Sequence, residues 1–287
     1  MVTIQRLSEL RATVKQQRES GKRIGFVPTM GNLHEGHLSL VKCALERADY
    51  VITSIYVNPL QFGANEDLDS YPRTLQKDMQ LLAETGNHAL FTPTTDQIYP
   101  RGPEGHTRVV VPDLTDHHCG ASRPGHFEGV STVVNILFNM VQPQIAVFGE
   151  KDYQQLAVIR KMTTDLNLDI DVVGYPTVRE DDGLAKSSRN GYLSKEERSI
   201  AGTLYRVLNV TADKIRAGER SFQALQQQAT DTLREAGFKP DYLNIANGKT
   251  LVDADASDTE LVILAAAYLG TTRLIDNISF SLPAESN

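Results

Sequence analysis

The stretch "RIGFVPTMGNLHEGHLSLVKCALERADYVITSIYV", residues 23–57, decides the fold. Residues 23–29 are mostly apolar and predict a buried strand, and residues 50–57, rich in β-branched and aromatic side chains, predict a second one. Between them, Leu38, Val41 and Leu45 recur at helical spacing. A strand, a helix and a second strand in this order are typical of a parallel sheet covered by helices.

The same alternation continues on both sides of this stretch. Helices are predicted over 8–18 with Ser8 as N-cap, 74–86, 129–141 and 152–166, and strands over 89–93, 108–112, 144–149 and 169–178. After about Gly174 the pattern changes to two helical runs, 194–218 and 221–237, and short strands around 241–247, 260–269 and 272–280. We therefore predict a Rossmann-like α/β domain over residues 1–175 and a smaller α+β domain over residues 176–287.

Composition narrows the class of protein. The chain has 287 residues, 40% of them hydrophobic, a net charge of −7 and two cysteines, Cys43 and Cys119. Its apolar runs are too short to cross a bilayer, and its first residues lack the apolar core of a secretory signal. These features predict a globular cytoplasmic protein with neither a membrane nor a nucleic acid as partner.

The first candidate site is "PTMGNLHEGH", residues 28–37, which follows the first predicted strand of the quoted stretch. Ligands of open parallel sheets bind beyond the carboxyl ends of the strands, and a helix N-terminus suits phosphate. His34 and His37 lie beside that N-terminus and can donate hydrogen bonds to phosphate oxygens. The alternative is that both histidines are structural.

Other phosphate and metal motifs are absent from the sequence. "HEGH" lacks the spacing of the H-E-x-x-H zinc motif, and "HHC" at 117–119 has no second spaced pair of ligands. "GKT" at 248–250 lacks the upstream glycine of a P-loop, and no G-x-G-x-x-G opens the first helix. A nucleotide would therefore be bound through the histidine motif.

H-x-G-H after a first strand is similar to the signature of the nucleotidyltransferase superfamily. The usual partner of this motif is a late Lys/Ser-rich loop, and "GLAKSSRNGYL" at 183–193 fits it. With "NPLQFG" at 58–63, "RPGHFEGVSTVV" at 123–134 and "VFGEKDYQQLAVIRKM" at 147–162, the sequence closely resembles the pantoate–β-alanine ligase family. The resemblance runs from about residue 23 to 198, and more loosely to 277.

The resemblance implies a reaction, its substrates and a state of assembly. The carboxylate of (R)-pantoate attacks the α-phosphate of ATP, pyrophosphate leaves, and the amine of β-alanine then displaces AMP from the pantoyl adenylate to give pantothenate. Mg²⁺ accompanies ATP, mostly through phosphate oxygens and water, and no protein metal site is expected. A homodimer formed through the nucleotide domain is also implied. Separately, "GYP" at 174–176 suits a hinge and predicts that the C-terminal domain acts as a lid over ATP.

The resemblance also assigns roles to individual residues. His34 and His37 would contact the phosphates, with His37 as the proton donor; Asn58 would place the amine; Gln61 would bind both pantoate and β-alanine; and Gln155 would bind the pantoate hydroxyls. Lys151, Ser187, Ser188 and Arg189 complete the predicted catalytic set, and Arg123 and His126 would line the substrate cavity. The predicted ATP-binding residues are Met30, Gly31, Asn32, Leu33, His34, Glu35, Gly36, His37, Gly149, Glu150, Lys151, Asp152, Val178, Lys186, Ser187, Ser188 and Arg189.

Two points stay open on the sequence. Ile136 stands where many relatives are expected to carry lysine, and it is assigned no role. The first alternative to the ligase is an H-x-G-H transferase that leaves its nucleotide on the product. A tRNA synthetase is another, although the negative charge and the short C-terminal unit leave little surface for binding tRNA. The third is a catalytically silent nucleotide-binding regulator.

Overall fold

The computed structural model describes residues 1–64 and 66–283. Its strands are β1 Val2–Ile4, β2 Ile24–Thr29, β3 Tyr50–Ile55, β4 Ala89–Phe91, β5 Ile145–Gly149, β6 Asp171–Tyr175, β7 Lys239–Asn247, β8 Glu260–Leu269 and β9 Thr272–Ser281. Its α-helices are α1 Leu7–Glu19, α2 Glu35–Leu45, α3 Leu75–Thr85, α4 Thr95–Ile98, α5 Cys119–Ser122, α6 His126–Val141, α7 Tyr153–Asp165, α8 Lys195–Ile200, α9 Thr203–Arg216 and α10 Phe222–Glu235. Short 3-10 helices span Pro59–Gln61, Glu150–Asp152 and Ser188–Tyr192.

The first sheet has six parallel strands in the order β1-β4-β3-β2-β5-β6. From β2 the chain proceeds through β3 to β4 on one side, and β5 and β6 then extend the sheet on the other. The strand order therefore reverses between β2 and β5, which is where ligands of open α/β sheets bind. The predicted α/β class is confirmed.

The apolar runs become the central strands because helices cover both faces of the sheet. Residues 24–27 of β2 and 50–54 of β3 are all buried. Val41 and Ala44 of α2 and Leu82 of α3 pack with the strands in one core cluster. This packing fixes the position at which β2 ends and the histidine motif begins.

The second sheet has three antiparallel strands in the order β7-β8-β9. Buried side chains of α9 and α10 share one core with it, and that core includes Leu208, Leu233 and Ile263. The predicted α+β character is confirmed, although the strands are 9, 10 and 10 residues long rather than short. Residues 261–267 of β8 are buried without interruption, so no alternation marks the strand's length.

The chain divides into two compact units. The first contains Met1–Pro112, Arg123–Glu150 and Gln155–Pro176, and the second contains Asp113–Ser122, Lys151–Gln154 and Thr177–Asn287. Two short segments from the first 175 residues thus belong to the second unit. The division into folding domains 1–175 and 176–287, and the lid role of the second, stay predictions.

Three local predictions were wrong. The helical run 194–218 is two helices, α8 and α9, because residues 201–202 form a turn between them. Residues 108–112 form no strand, because α6 side chains bond this backbone: Val109 N–H donates to Thr132 Oγ1 at 3.0 Å, and Ser131 Oγ donates to the Val109 carbonyl. Ser8 lies inside α1, whose N-cap is Arg6 without a side-chain capping bond. In addition, β1 is a three-residue edge strand paired to β4, too short to be detected by periodicity.

Candidate active site

A buried carboxylate on α3 holds the loop that follows β2. Asp78, only 1% exposed, accepts hydrogen bonds from the backbone N–H groups of Asn32 and Leu33 at 2.9 and 2.8 Å. Gly31 has a φ of +84°, and a Cβ at this position would lie 3.2 Å from Asp78 Oδ2. Glycine therefore suits both the left-handed conformation and the close approach. Asp78 was not predicted from the sequence, although it lies one helical turn before the buried Leu82 on the apolar face of α3.

The two histidines of the motif stack at the N-terminus of α2. Their ring centroids are 4.1 Å apart at an interplanar angle of 46°. His34 is the N-cap, and its Nδ1 accepts from the Gly36 N–H at 3.2 Å, while His37 Nδ1 accepts from the His34 N–H at 3.3 Å. A neutral imidazole whose Nδ1 accepts a hydrogen bond carries its proton on Nε2. Both rings thus have an Nε2–H donor at the positive end of a helix.

The turn after β3 is joined to this loop. Asn58 is 1% exposed, and its amide is fully bonded to protein: Oδ1 accepts from Tyr99 Oη at 2.7 Å and the Leu60 N–H at 3.3 Å, and Nδ2 donates to Gln61 Oε1 and the Gly129 carbonyl, both at 3.1 Å. Gln61 Nε2 lies 3.2 Å from Met30 Sδ. The structure therefore brings Gln61 beside the histidine loop and places Asn58 behind Gln61.

Arg123 and His126 hold the same turn from the start of α6. Arg123 Nη2 and His126 Nδ1 both bond the Gln61 carbonyl, at 3.2 and 2.8 Å, and Arg123 Nη1 lies 3.0 Å from His126 Nε2. Arg123 Nε also pairs with Glu66 at 2.7 Å. Burial opposes ionisation of Glu66, but the hydrogen bond and charge of Arg123 outweigh it and hold the pKa of Glu66 below its ordinary value. Glu66 was not predicted from the sequence, because it lies in a polar loop without a recognisable motif.

Beyond β5, neighbouring glutamines differ in their surroundings. Gln154 is buried, and its amide bonds the Cys119 N–H and the Leu114 and His117 carbonyls at 2.7–3.1 Å, all within the second unit. Gln155, in the first unit, is half-buried, and its side chain forms no hydrogen bond within the described part of the chain. Gly149, at the end of β5, has open space where a Cβ would lie. The glutamine that the sequence singled out is therefore the one whose amide can bind a ligand.

In the second unit, Val178 and Lys186 face each other across a tight hairpin. The Lys186 N–H donates to the Val178 carbonyl at 2.9 Å, and Arg179 and Ala185 form an antiparallel bridge. Lys186 Nζ lies 3.2 Å from Glu180. The hairpin places the main chain of Val178 next to the start of the Lys/Ser-rich loop.

A buried ion pair anchors this hairpin to β9. Arg179 binds the two carboxylate oxygens of Asp276 at 2.6 and 2.9 Å, and its guanidinium lies 3.5 Å from the centroid of the Tyr205 ring. The Asp276 side chain is 3% exposed. This pair was not predicted from the sequence, since 97 residues separate its members and neither stands in a recognisable motif.

The remaining predicted residues lie on two 3-10 helices. Ser187 caps the helix that carries Ser188 and Arg189, through its Oγ and the Arg189 N–H at 3.2 Å. Lys151 and Asp152 are on the helix after β5, and the Lys151 carbonyl accepts from Asn277 Nδ2 at 2.9 Å. Ammonium, guanidinium and hydroxyl groups are donors that suit a polyphosphate.

Residues 117–119 are engaged with the protein. His118 Nε2 lies 2.8 Å from the Leu251 carbonyl and its Nδ1 2.8 Å from Asn244 Nδ2, while Cys119 Sγ is 2.9 Å from Tyr242 Oη. Within residues 1–64 and 66–283, no three His, Cys, Asp or Glu side chains are placed to hold a metal ion. None of the helices in those ranges is both long and apolar enough to span a membrane.

The family model, the curated relatives and the solved structures below all point to the same family. A family model described as pantoate-beta-alanine ligase matches residues 2–279. A protein of Hahella chejuensis named pantothenate synthetase is 62% identical over 282 residues, which cover 98% of this chain and 100% of that protein. The crystal structure of pantothenate synthetase from Thermus thermophilus has a TM-score of 0.90 at 46% identity, covering 97% of this chain and 99% of that one. A pantoate-beta-alanine ligase from Francisella tularensis, complexed with beta-gamma ATP and beta-alanine, has a TM-score of 0.82 at 33% identity, with 97% of each chain covered.

Proposed function

We propose that the chain, which belongs to the pantoate–β-alanine ligase family, condenses (R)-pantoate with β-alanine through an enzyme-held pantoyl adenylate, with release of AMP and pyrophosphate. The family model and the 62% identical relative confirm the resemblance seen in the sequence motifs, and the chain is a ligase. The ATP and β-alanine named in the Francisella tularensis complex support the choice of those two substrates.

The proposal is carried by the histidine pair. The Nδ1 atoms of His34 and His37 accept backbone N–H groups, which directs an Nε2–H donor from each ring at the positive end of α2. Donors fixed in advance stabilise the charge that develops on the leaving pyrophosphate without having to reorganise during the reaction. In the proposed first step, a pantoate carboxylate oxygen forms a bond to the α-phosphorus of ATP. The bond from that phosphorus to the oxygen bridging the α- and β-phosphates breaks, and this oxygen leaves with pyrophosphate.

The other predicted residues take roles that fit their surroundings. Lys151, Lys186 and Arg189 supply cations to the triphosphate, with hydroxyls from Ser187 and Ser188, while Gly149 lets the ATP approach the backbone, Asp152 binds the ribose and Val178 the adenine. Gln61 and Gln155 bind pantoate. Because the Asn58 amide is saturated by protein groups, we assign it to positioning rather than to direct contact with the amine.

Mg²⁺ is proposed as the companion of ATP. Its coordination by phosphate oxygens and water is ordinary for this ion, and the described residues offer no cluster of three ligand side chains. Bound there, it would neutralise phosphate charge. The cytoplasm is the proposed compartment, since Cys43 and Cys119 are both free thiols.

The test is an assay of AMP and pantothenate formation from ATP, pantoate and β-alanine, with each substrate omitted in turn. We expect pyrophosphate release with ATP and pantoate alone, and AMP release only when β-alanine is added. If AMP is retained on the product, the chain is a nucleotidyltransferase and the proposal is wrong. The absence of any turnover would favour the silent regulator.

A further inference from the structure

The orientation of the Gln61 side chain is fixed by a chain of hydrogen bonds that begins at two backbone groups. The Leu60 N–H can only donate and the Gly129 carbonyl can only accept. Asn58 must therefore present Oδ1 to Leu60 and Nδ2 to Gly129, at 3.3 and 3.1 Å. This settles which end of the Asn58 amide is which.

The orientation of Asn58 then determines that of Gln61. Asn58 Nδ2 is a donor, so the Gln61 atom 3.1 Å from it is the acceptor Oε1. The Gln61 NH2 group accordingly points the other way, where Met30 Sδ lies 3.2 Å from Nε2. Thioether sulfur is a weak acceptor, and no oxygen of the described residues bonds this NH2 group. Gln61 therefore turns its Oε1 toward Asn58 and offers an N–H group to a ligand.

Tyr99 is the side chain that completes the chain of hydrogen bonds. Its hydroxyl lies 2.7 Å from Asn58 Oδ1, a site that can only accept, so the hydroxyl donates. Tyr99 is 1% exposed, and burial raises its pKa, which favours the protonated phenol that donates this hydrogen bond.

We propose that Tyr99 is a positioning residue: through Asn58 it holds Gln61 so that the Gln61 NH2 group meets a carboxylate or hydroxyl oxygen of the substrate. This rests on the proposed function, in which Gln61 binds pantoate. It also predicts the chemistry of the contact, because an N–H donor attracts an anionic oxygen and repels an ammonium group.

The experiment compares steady-state kinetics of Tyr99→Phe, Gln61→Ala and the double variant, with Tyr56→Phe as matched control. Tyr56 is also buried, but its hydroxyl bonds only Thr95, at 3.5 Å, among the described residues. We expect Tyr99→Phe to raise the KM for pantoate about tenfold and to leave the KM for ATP unchanged. Tyr56→Phe should match the wild type in both.

The double variant distinguishes positioning from a general structural effect. If Tyr99 acts through Gln61, Tyr99→Phe adds nothing to the KM of Gln61→Ala, whereas independent effects would multiply. Full multiplication, or an unchanged KM for pantoate in Tyr99→Phe, would overturn the inference while the ligase assignment stands. A wild-type chain that makes no pantothenate would overturn both.

Gln61→Glu tests the orientation directly and does not depend on the stability of Tyr99→Phe. This change keeps the shape and the acceptor for Asn58 but replaces the NH2 group by an oxygen. We expect pantoate binding to weaken by about tenfold or more through repulsion of its carboxylate. Retained pantoate binding would show that the Gln61 carbonyl faces the ligand and would overturn the inference.

Discussion

His34 combines two roles in one imidazole. Its Nδ1 caps α2 by accepting the Gly36 N–H, and its Nε2 is a proposed phosphate donor. His37 occupies the complementary position, since its Nδ1 accepts the N–H of His34 itself. Substitution at either position therefore affects both the start of the helix and the donors, and variants must separate the two effects.

We predict that His34→Ala and His37→Ala each lower pantoate-dependent pyrophosphate release by about a hundredfold, since each removes one preorganised donor. His34→Ala should also lose about 1 kcal/mol of stability with the cap. His34→Asn is the control: asparagine is a good N-cap, so stability should return while pyrophosphate release stays low. Near wild-type release in both alanine variants would contradict the assigned role.

At the scale of elements, α6 and the turn Pro59–Gln61 meet without room for a side chain. A Cβ on Gly129 would lie 2.3 Å from the Leu60 carbonyl oxygen and 2.8 Å from the Gln61 nitrogen. These are backbone atoms and cannot rotate away. The glycine thus allows α6 to contact the turn closely enough for the Gly129 carbonyl to accept from Asn58.

We predict that Gly129→Ala destabilises the chain by about 1–3 kcal/mol and raises the KM for pantoate, because the turn carrying Gln61 must move away from α6. Gly105→Ala is the control, since its Cβ would have only one contact, at 3.4 Å. Thermal unfolding and kinetics on the two variants check this. Equal stability of the two would show that the turn yields without cost.

The elements also show where sequence reasoning succeeds and where it stops. β2 and β3 were predictable because helices cover both faces of their sheet, which demands unbroken apolar runs. Residues 108–112 have similar β-branched side chains, yet their backbone is bonded by Ser131 and Thr132 of α6. Composition indicates what fits a sheet, but only tertiary structure decides whether a neighbouring strand is present.

At the scale of the whole molecule, the order of five motifs along the chain identified the family, and matches covering nearly all of the chain confirm it. The supporting residues were not predictable. Asp78 acts on a loop 45 and 46 residues earlier, and Asp276 on Arg179 97 residues earlier. Such pairings depend on packing between distant segments, which no local pattern in one sequence encodes.

The family resemblance predicts a homodimer formed through the nucleotide domain, residues 1–175. Val110, in that domain, is 65% exposed in the single chain. Light scattering on the purified protein should give about twice the chain mass of 31.7 kDa, independent of dilution across the micromolar range. A mass equal to that of one chain would contradict the prediction without affecting the ligase assignment.

The carboxylate of Asp78 has a consequence for protein engineering. The ten residues 28–37 contain both imidazoles, but the bonds that hold Asn32 and Leu33 come from α3, outside that segment. Transplanting the decapeptide into another parallel-sheet scaffold would transfer the chemical groups and leave their conformation unsupported. A successful graft needs an acidic side chain supplied by the recipient's neighbouring helix.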